Sequence, residues 1–380
     1  MDFQFTEEQI QIRDAAKDFA ENEIAPSSVE RDVTCEFPTD IIAKLGELGF
    51  MGMMVSPEWG GAGLDTVSYV LAMEEISKVD ASVGVIMSVN NSLVCFGLEK
   101  WGTPEQKEKY LKPLAMGQKL GAFCLSEPEA GSDATNQKTV AEKDGDYYIL
   151  NGMKNWITNG TKADYYLIQV QTDKSKGYKG ITSFIVEKTL EGFEIGKKED
   201  KLGIRSSDTC SIGLNNVRVH KDNILGEEGL GFRIAMETLN GGRIGIASQA
   251  LGIASASLEA AIKYSKERKA FDKPISELQA IQFKLADMAV NVETARLLIL
   301  QAALKKDAHE KYAKEAAQAK LYASRVAVNN ALEAIQIHGG YGYVREYLVE
   351  RYLRDAKITE IYEGTSEIQK IVIARELLKD

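Results

Sequence analysis

Residues 144–150 read Asp-Gly-Asp-Tyr-Tyr-Ile-Leu, and they mark the part of the chain where the hydrophobic pattern changes. An Asp-Gly pair is typical of a tight hairpin turn, and the aromatic and aliphatic residues after it favour a strand. Two further β-rich runs, at 165–170 and 181–186, lie between turn-forming residues. We therefore predict a compact β domain between about residues 120 and 220, where the period of the pattern approaches two.

Helical patterns precede this region. Thr6 and Gln9 have the spacing of a capping box, and apolar residues then recur every three or four positions as far as Pro26. Further helices are predicted after Pro38 and over residues 66–79, the latter following a glycine-rich loop. The first third of the chain should therefore be mostly helical.

Long helical patterns follow the β-rich region. Residues 254–269, 277–306 and 312–337 are rich in Ala, Leu, Glu and Lys and contain no proline. Segments of this length favour a helical bundle that can also pack against other subunits. The sequence thus predicts an α+β multidomain fold, with an N-terminal α-helical domain over 1–119, a middle β domain over 120–228 and a C-terminal α-helical domain of the four-helix-bundle type over 229–380.

The composition is that of an ordinary globular protein with room for two or three domains, since 44% of its 380 residues are hydrophobic and 27% are charged. Acidic residues outnumber basic ones by 56 to 46, and the formal charge of −10 argues against a protein that wraps nucleic acid. The N-terminus lacks the layout of a signal peptide, and no uninterrupted apolar run approaches the roughly 18 residues of a membrane span. We expect a cytoplasmic protein without membrane insertion.

Several common site motifs are absent from the sequence. The four cysteines and three histidines are scattered, so neither a disulfide framework nor a metal site is predicted. There is no Walker loop and no Gly-x-Ser-x-Gly elbow, and Gly229-Leu230-Gly231 has Ile234 where the last glycine of a dinucleotide fingerprint belongs. A nucleotide cofactor would therefore not be bound by a Rossmann domain.

Two clusters in the β-rich region could carry chemistry. Residues 125–133 (Leu-Ser-Glu-Pro-Glu-Ala-Gly-Ser-Asp) predict a strand that runs into a small-residue turn, whose hydroxyls and amides could bind a planar heterocycle or a phosphate. An ordinary turn would explain the same residues. Residues 156–160 (Trp-Ile-Thr-Asn-Gly) place an aromatic ring beside polar groups at a strand end, although most such tryptophans are simply packed.

The third cluster is 361–367 (Ile-Tyr-Glu-Gly-Thr-Ser-Glu), which follows a glycine-rich stretch at 336–343. Glu363 precedes a glycine in apolar and aromatic surroundings, and Thr365 could cap the helix that follows. Such a carboxylate could be a base whose pKa is raised by loss of hydration. It could also be a charge that interacts favourably with a helix dipole. We expect His338 to be a packing residue or a cofactor neighbour rather than a catalyst.

Together these clusters, in this order and on this α-β-α frame, closely resemble the acyl-CoA dehydrogenase family. The resemblance spans essentially the whole chain and is greatest to the short-chain, butyryl-CoA-type branch. It implies a flavoprotein oxidoreductase that uses FAD to convert a short-chain acyl-CoA to the trans-2-enoyl-CoA, as in fatty acid β-oxidation. It also implies electron-transfer flavoprotein as the electron acceptor, and a homotetramer.

The resemblance implies site residues position by position. Glu363 matches the catalytic base that takes the α-proton, while flavin N5 accepts the β-hydride. Trp156 and Thr158 match residues at the isoalloxazine ring, and Arg268 matches a group that holds the FAD pyrophosphate, usually of a neighbouring subunit. The residues that match FAD contacts are Phe123, Leu125, Ser126, Gly131, Ser132, Trp156, Ile157, Thr158, Arg268, Phe271, Gln279, Gln336, Gly339, Gly340, Thr365 and Glu367. The residues that match acyl-CoA contacts are Ser132, Asn240, Arg243, Tyr362 and Gly364.

Three positions refine this expectation. Relatives that carry their base elsewhere place it just before the arginine that Arg243 matches; this chain has Gly242 there, so Glu363 has no competitor. The usual Arg-x-Gln-Phe-Gly pattern reads Arg-Lys-Ala-Phe-Asp over 268–272, which keeps the arginine and the phenylalanine. The arginine that clamps the distal carboxylate of glutaryl-CoA aligns with Gly84, so a dicarboxylic substrate is not expected.

Two alternatives stay open at this point. An acyl-CoA oxidase would share the chemistry but pass electrons to oxygen, and such relatives are usually much longer, with a further C-terminal helical domain. A catalytically silent acyl-CoA-binding or scaffolding homologue would share the frame, but the presence of Glu363, Trp156 and Arg268 argues against it. Because one methylene changes binding by only about 1–3 kcal/mol, chain length is hard to predict; we expect straight acyl chains of roughly four to six carbons, with branched chains also open.

Overall fold

The structure, a computed structural model, describes residues 4–379; Met1–Phe3 and Asp380, which belong to the predicted terminal domains, lie outside the described residues. Its elements run from helices to a β-sheet and back to helices, which confirms the predicted α+β fold with three domains. The last N-terminal helix ends at Ala115, the first strand begins at Gly121 and the long C-terminal helix begins at Gly231. The domain boundaries after residues 119 and 228 stay predictions.

The N-terminal domain consists of short helices around an apolar core. The capping box is present, because Gln9 N donates to Thr6 Oγ1 at 3.2 Å and Thr6 N donates to Gln9 Oε1 at 3.0 Å. The helical path continues past Pro26, since a wide turn over Ala20–Ile24 leads directly into a second helix whose first turn tolerates a proline. The helices are α1 (Glu7–Phe19), α2 (Ala25–Thr34), α3 (Thr39–Glu47), α4 (Thr66–Val79), α5 (Ala81–Ser88), α6 (Phe96–Trp101), α7 (Pro104–Gln106) and α8 (Lys112–Ala115).

One mixed sheet of eight strands forms the middle domain. The strands are β1 (Gly121–Cys124), β2 (Val140–Asp144), β3 (Tyr147–Thr158), β4 (Tyr165–Gln171), β5 (Ile181–Glu187), β6 (Phe193–Ile195), β7 (Thr209–His220) and β8 (Ile224–Leu225). Their order is β6-β7-β3-β2-β4-β5-β8, with β1 parallel to β4. Asp144 pairs with Tyr147 across a two-residue turn in which Gly145 has a φ of 62°, so the predicted hairpin is confirmed.

Long helices dominate the C-terminal domain. Its elements are α9 (Gly231–Glu267), the short strands β9 (Lys269–Ala270) and β10 (Lys273–Pro274), α10 (Gln279–Asp307), α11 (Ala313–His338), α12 (Val349–Ile358) and α13 (Ser366–Leu377). Helix α9 packs against α11, α4 and α10. Helix α9 begins at Gly231, close to the predicted start of the helical domain near residue 229, but the predicted segment 254–269 covers only the C-terminal part of α9, because Gly241, Gly242 and Gly245 interrupt its apolar pattern without ending the helix.

Two helical stretches are long and apolar enough to cross a membrane by length and composition alone, Ala81–Trp101 and Gly231–Glu267. In their most apolar windows, 94% and 83% of the residues are buried inside the protein. This degree of burial is typical of core helices, which bury an apolar surface on every side. Both stretches lie against the site described below.

A buried cluster of charges joins the three domains. Asp80, 1% exposed, lies 2.8 Å from Arg31 Nη2 and 3.0 Å from Arg351 Nη2. Asp355 on α12 pairs with Arg351 and accepts a hydrogen bond of 2.5 Å from the Ile204 amide, which belongs to the segment between β6 and β7. The position of α12, and of the loop after it, therefore depends on charges from the N- and C-terminal domains and on a backbone amide from the middle domain.

We expect Asp80→Ala to lower the free energy of unfolding by about 3–5 kcal/mol, because the change leaves the buried Arg31 guanidinium without its carboxylate and leaves Arg351 with Asp355 alone. Asp14→Ala is the matched control, since the ion pair between Asp14 and Arg13 is exposed and should contribute less than about 1 kcal/mol. Thermal unfolding of the two variants beside the unmodified protein checks the difference. Equal melting temperatures would contradict a structural role for the cluster.

Candidate active site

The loop between α12 and α13 holds Glu363 in an unusual backbone conformation. Glu363 has a φ of 51° and the following Gly364 a φ of 94°. A glutamate seldom adopts this left-handed conformation, and residues held in it are concentrated at functional sites. The Thr365 hydroxyl accepts a hydrogen bond of 3.3 Å from the Ile368 amide, so α13 begins directly after the turn with the predicted cap.

Two buried side chains hold the carbonyl groups of this turn. Lys320 Nζ, from α11, donates to the Gly364 oxygen at 2.7 Å. Gln369 Nε2, from α13, donates to the same oxygen at 2.8 Å and to the Glu363 oxygen at 3.3 Å. Both Lys320 and Gln369 are 0% exposed. The left-handed turn is therefore fixed by donors from two different helices.

Tyr362 anchors the other side of the turn. Its hydroxyl donates to Gln249 Oε1 on α9, and Gln249 Nε2 donates to the Ala81 carbonyl oxygen at 2.7 Å. Burial raises the pKa of Tyr362 well above its ordinary value, so the phenol keeps the proton that it donates. The loop that carries Glu363 is thus connected by hydrogen bonds to α9 and, through Gln249, to the start of α5.

The Glu363 carboxylate points toward α9. A Cβ added at Gly242 would overlap Glu363 Oε2, so the missing side chain at this position makes room for the carboxylate. Oε2 is buried and has no hydrogen-bond partner among residues 4–379. Burial raises the pKa of Glu363 to about 7, while the positive charges of Lys320 and Arg243 oppose part of this rise. Such a carboxylate can accept a proton near neutral pH.

Arg243, on the same face of the site, is 5% exposed. Its Nη1 donates to Asn240 Oδ1 at 2.7 Å, and its Nε has no partner in the described part of the chain. Burial lowers the pKa of Arg243 to about 10, and the charge of Glu363 partly offsets this. Of the predicted substrate contacts, Asn240, Arg243, Tyr362 and Gly364 lie around Glu363, whereas Ser132 lies in a loop of the middle domain.

Trp156 lies at a β-bulge near the end of β3, where the register with β7 shifts between Lys154 and Ile157. Its φ is 60° and its side chain is 62% exposed, which is unusual for a tryptophan. Asn155 N donates to the Ser126 carbonyl oxygen at 2.8 Å, so the loop at 125–133 lies beside the bulge. The two clusters of the β-rich region thus form one surface, on which Phe123, Leu125, Ser126 and Thr158 are half-buried, Ile157 is buried, and Gly131 and Ser132 are exposed.

A buried ion pair supports this surface, and the sequence analysis missed it. Lys154 Nζ lies 2.7 Å from Glu127 Oε1 and donates to the Leu125 carbonyl oxygen at 3.2 Å. Glu127 Oε2 also accepts from the Lys138 amide at 2.5 Å. Lys154 is 0% exposed and Glu127 3% exposed. A lysine within a strand was the available signal, but the sequence did not show which face of the strand is buried.

A separate cavity of about 490 Å³ brings together Arg268, Gly339 and Gly340 of the predicted cofactor residues. His338 packs there against Tyr264, with ring centroids 4.1 Å apart, and its Nδ1 lies 2.7 Å from the Ala334 carbonyl oxygen. The remaining lining residues are Ile275, Ile337, Tyr341 and Val344. Phe271, 86% exposed, and the exposed Gln279 and Gln336 lie outside this lining. The predicted FAD contacts therefore fall into separate groups on one chain.

Thr365 and Glu367 line a smaller depression of about 260 Å³ at the N-terminus of α13. Arg325, Lys357 and Lys370 line the same depression, together with the carboxylate of Glu360. The three basic side chains outnumber the two carboxylates, and the positive end of the α13 dipole also favours an anionic group.

FAD combines a planar ring with a polar chain and a pyrophosphate, and the residues present fit these parts. The exposed Trp156 ring offers a platform for a planar group. A Cβ added at Gly131 would meet nothing within 4 Å, so there is open space beside that loop. The exposed Arg268 and the cation-lined depression suit phosphates. Within residues 4–379 no group of three His, Cys, Asp or Glu side chains could hold a metal ion.

Comparison with known proteins matches all three domains. Residues 6–118, 122–217 and 229–378 match the N-terminal, middle and C-terminal domains of acyl-CoA dehydrogenases. The chain is 50% identical over 379 residues to the short-chain specific acyl-CoA dehydrogenase of Clostridium acetobutylicum, with 100% of both chains covered. It is 51% identical over 375 residues to the 3-(aryl)acrylate reductase of Clostridium sporogenes, covering 99% of this chain and 100% of that relative.

Solved structures agree with these matches. Butyryl-CoA dehydrogenase from Megasphaera elsdenii superposes with a TM-score of 0.98 at 49% identity, over 100% of both chains. A chain from a structure of the electron transferring flavoprotein of Acidaminococcus fermentans superposes with a TM-score of 0.99 at 52% identity, also over 100% of both chains. With three matching domains and relatives of about 50% identity along its whole length, the chain belongs to the acyl-CoA dehydrogenase family of oxidoreductases.

Proposed function

We propose that this oxidoreductase dehydrogenates a short-chain acyl-CoA between its α- and β-carbons, with Glu363 as the base that takes the α-proton. The observation that carries the proposal is the Glu363 carboxylate, whose Oε2 is buried without a partner and whose pKa is raised to about 7. A carboxylate in water is far too weak a base for a proton beside a thioester. Burial strengthens it as a base, and the same loss of water strengthens any hydrogen bond to the substrate.

The backbone around Glu363 has a role as well. Its amide donates to no acceptor among residues 4–379, so the N–H can donate to the thioester oxygen as negative charge develops there. Bound FAD would supply the acceptor for the β-hydride. Trp156, Thr158 and the 125–132 loop would hold its ring, and Arg268 its pyrophosphate. Because Lys320, Gln369 and Tyr362 fix the loop, the carboxylate is positioned before the substrate arrives.

We propose that two polar side chains close the acyl end of the site. A Cβ added at Gly245, one turn along α9 from Gly242, would lie 2.5 Å from Ser88 Oγ and 2.6 Å from Tyr69 Oη. Tyr69 Oη itself donates to Ser88 Oγ at 3.1 Å. One helical turn is about 5 Å, so little length separates the base from this wall. We therefore propose straight acyl chains of roughly four to six carbons, with overlap into neighbouring lengths.

We also propose a homotetramer in which neighbouring subunits complete each FAD site. An exposed apolar stripe runs along α10 with a spacing of seven residues: Phe283 is 61%, Val290 64%, Leu297 49% and Leu304 55% exposed. A stripe of this kind is typical of a helix that packs against another subunit. The location of Arg268 in a cavity lined only by C-terminal residues supports the same assembly.

Electron-transfer flavoprotein is the proposed electron acceptor, and the cytoplasm the proposed location. The family resemblance supports the acceptor, and so does the likeness to a chain from a structure of the electron transferring flavoprotein of Acidaminococcus fermentans. Oxygen consumption in the presence of acyl-CoA would favour the oxidase alternative. A purified protein that holds no flavin would favour the silent homologue.

Anaerobic addition of butyryl-CoA to the purified protein should bleach the visible flavin absorption and yield crotonyl-CoA. Such a result supports the cofactor, the reaction and the short-chain preference together. Bleaching only by longer or branched acyl-CoAs would retain the reaction and change the substrate. If no acyl-CoA bleaches the flavin, an aryl-substituted thioester or free acid should be tried, because one relative is a 3-(aryl)acrylate reductase. Failure with all of them would contradict the proposed reaction.

A further inference from the structure

Lys320 is a buried cation whose charge the proposed reaction does not yet use. Its side chain lies in the middle of α11 and is 0% exposed. Its Nζ donates to the Gly364 carbonyl oxygen at 2.7 Å and forms no ion pair within residues 4–379. Burial of an ammonium group without a carboxylate partner is unfavourable for folding. A fold that retains such a group beside Glu363 therefore gains something other than stability from it.

We propose that Lys320 is a positioning residue for the base: its ammonium group holds the left-handed Glu363–Gly364 turn through the Gly364 carbonyl oxygen, and its charge favours the ionised Glu363 carboxylate. This inference rests on the proposed function, since it assigns to Lys320 a role in the action of Glu363. It adds an electrostatic role to the hydrogen bond by which Lys320 of α11 contacts the loop before α13.

The positioning part follows from the backbone. A left-handed glutamate is strained, and it persists only where neighbouring groups determine the conformation. Lys320 and Gln369 are those groups, because both donate to the backbone carbonyl oxygen of Gly364. Gln369 also donates to the backbone carbonyl oxygen of Glu363. Of the two, Lys320 alone brings a charge. Substitution of Lys320 and of Gln369 therefore compares a charged donor with a neutral donor to the same carbonyl oxygen.

The electrostatic part follows from the groups around the carboxylate. Those that face Glu363 are Lys320 from α11, Arg243 from α9, Tyr69 from α4 and the adjacent Tyr362. Those that face Lys320 are Glu363, Arg243, Glu360 and Glu367. Burial lowers the pKa of Lys320 to about 7, with the charge of Glu363 opposing this shift. Loss of this cation leaves Arg243 as the positive charge beside Glu363, so the carboxylate should ionise at a higher pH.

Lys320→Met tests the proposal, because it keeps an unbranched apolar side chain and removes both the donor and the charge. We expect the acidic limb of the pH profile of kcat to move to a pH about one unit higher. At a pH below this limb, kcat should therefore fall about tenfold. KM should change much less than kcat. Lys320→Arg should return the limb toward its original position, since it restores a charge and a donor. Gln369→Met should lower kcat without moving the limb, because only a neutral donor is lost.

Lys44→Met is the matched control, because Lys44 is an exposed lysine of the N-terminal domain. Flavin content and melting temperature show whether each variant is folded. An unshifted limb in a folded Lys320→Met variant would overturn the electrostatic role, and an unchanged kcat would overturn the positioning role. If acyl-CoA bleaches the flavin of the unmodified enzyme and the Lys320→Met variant behaves identically, only this inference is refuted. An unmodified enzyme that does not respond to any acyl-CoA refutes the proposed function instead.

Discussion

Glu363→Gln is expected to lower kcat by about 10²–10⁴-fold, which is the range for loss of a positioned general base. Glutamine keeps the size and the polar end of the side chain but accepts no proton at neutral pH. The backbone that holds the turn is unaffected, because Lys320 and Gln369 contact carbonyl oxygens rather than the carboxylate. Flavin content and acyl-CoA binding should therefore be retained, and turnover should be lost. Stopped-flow measurement of flavin bleaching by butyryl-CoA gives the rate of the chemical step.

Glu310→Gln is the control, because Glu310 is an exposed glutamate of the same domain that lies 4.0 Å from Lys305. Its kcat should match that of the unmodified enzyme. A Glu363→Gln variant with normal bleaching would contradict the assignment of the base, whatever its effect on KM. In the unmodified enzyme, kcat should fall as the pH is lowered below about 7, because the carboxylate must be ionised to accept the proton. In the Glu363→Gln variant this decrease of kcat at low pH should be absent.

Local patterns predicted much of the fold. The hairpin at residues 144–147 follows from an Asp-Gly pair before a β-rich run, and the structure confirms its register. Helix α4 covers Thr66–Val79, as predicted, because Asp65, which caps its N-terminus, and its apolar run lie next to each other in the sequence. In both cases the deciding interactions join residues only a few positions apart. The predicted segment 254–269 was too short for α9, because burial against α4 and α11, rather than local propensity, keeps its glycines helical.

The candidate site could be predicted only in part, for a related reason. The cluster around Glu363 left two readings open, and the resemblance to the family made Glu363 the predicted base. Lys320 was not found, although it occupies a core-facing position of α11 between the buried Ala316 and Ala323. That pattern shows an unusual lysine but not its partner, since Gly364 lies 44 residues further along the chain. Contacts over such a distance depend on the packing of whole helices and become visible only in the structure.

Gly242→Ala is expected to lower kcat by about 10²-fold while leaving the fold and the flavin content intact. A methyl group at residue 242 would overlap Glu363 Oε2 and lie 2.7 Å from Leu93 Cδ2. Both of these atoms are at the ends of flexible side chains, so they can move aside at little cost in stability. The carboxylate then no longer points at the substrate, and a displacement of about 1 Å is enough for a loss of this size. KM for butyryl-CoA should change much less than kcat.

Gly241→Ala provides the matched control, because it makes the same substitution one residue earlier in the same helix. A Cβ there would lie 3.7 Å from the Ser92 carbonyl oxygen and 4.0 Å from Tyr312 Oη, which are ordinary contacts. Both substitutions favour the helix by a similar amount, since alanine replaces glycine in each. Any difference between the two variants therefore reports the space that Glu363 needs. Equal kcat values would mean that the carboxylate does not point at α9 in the working enzyme, and the base would then have to act from another position.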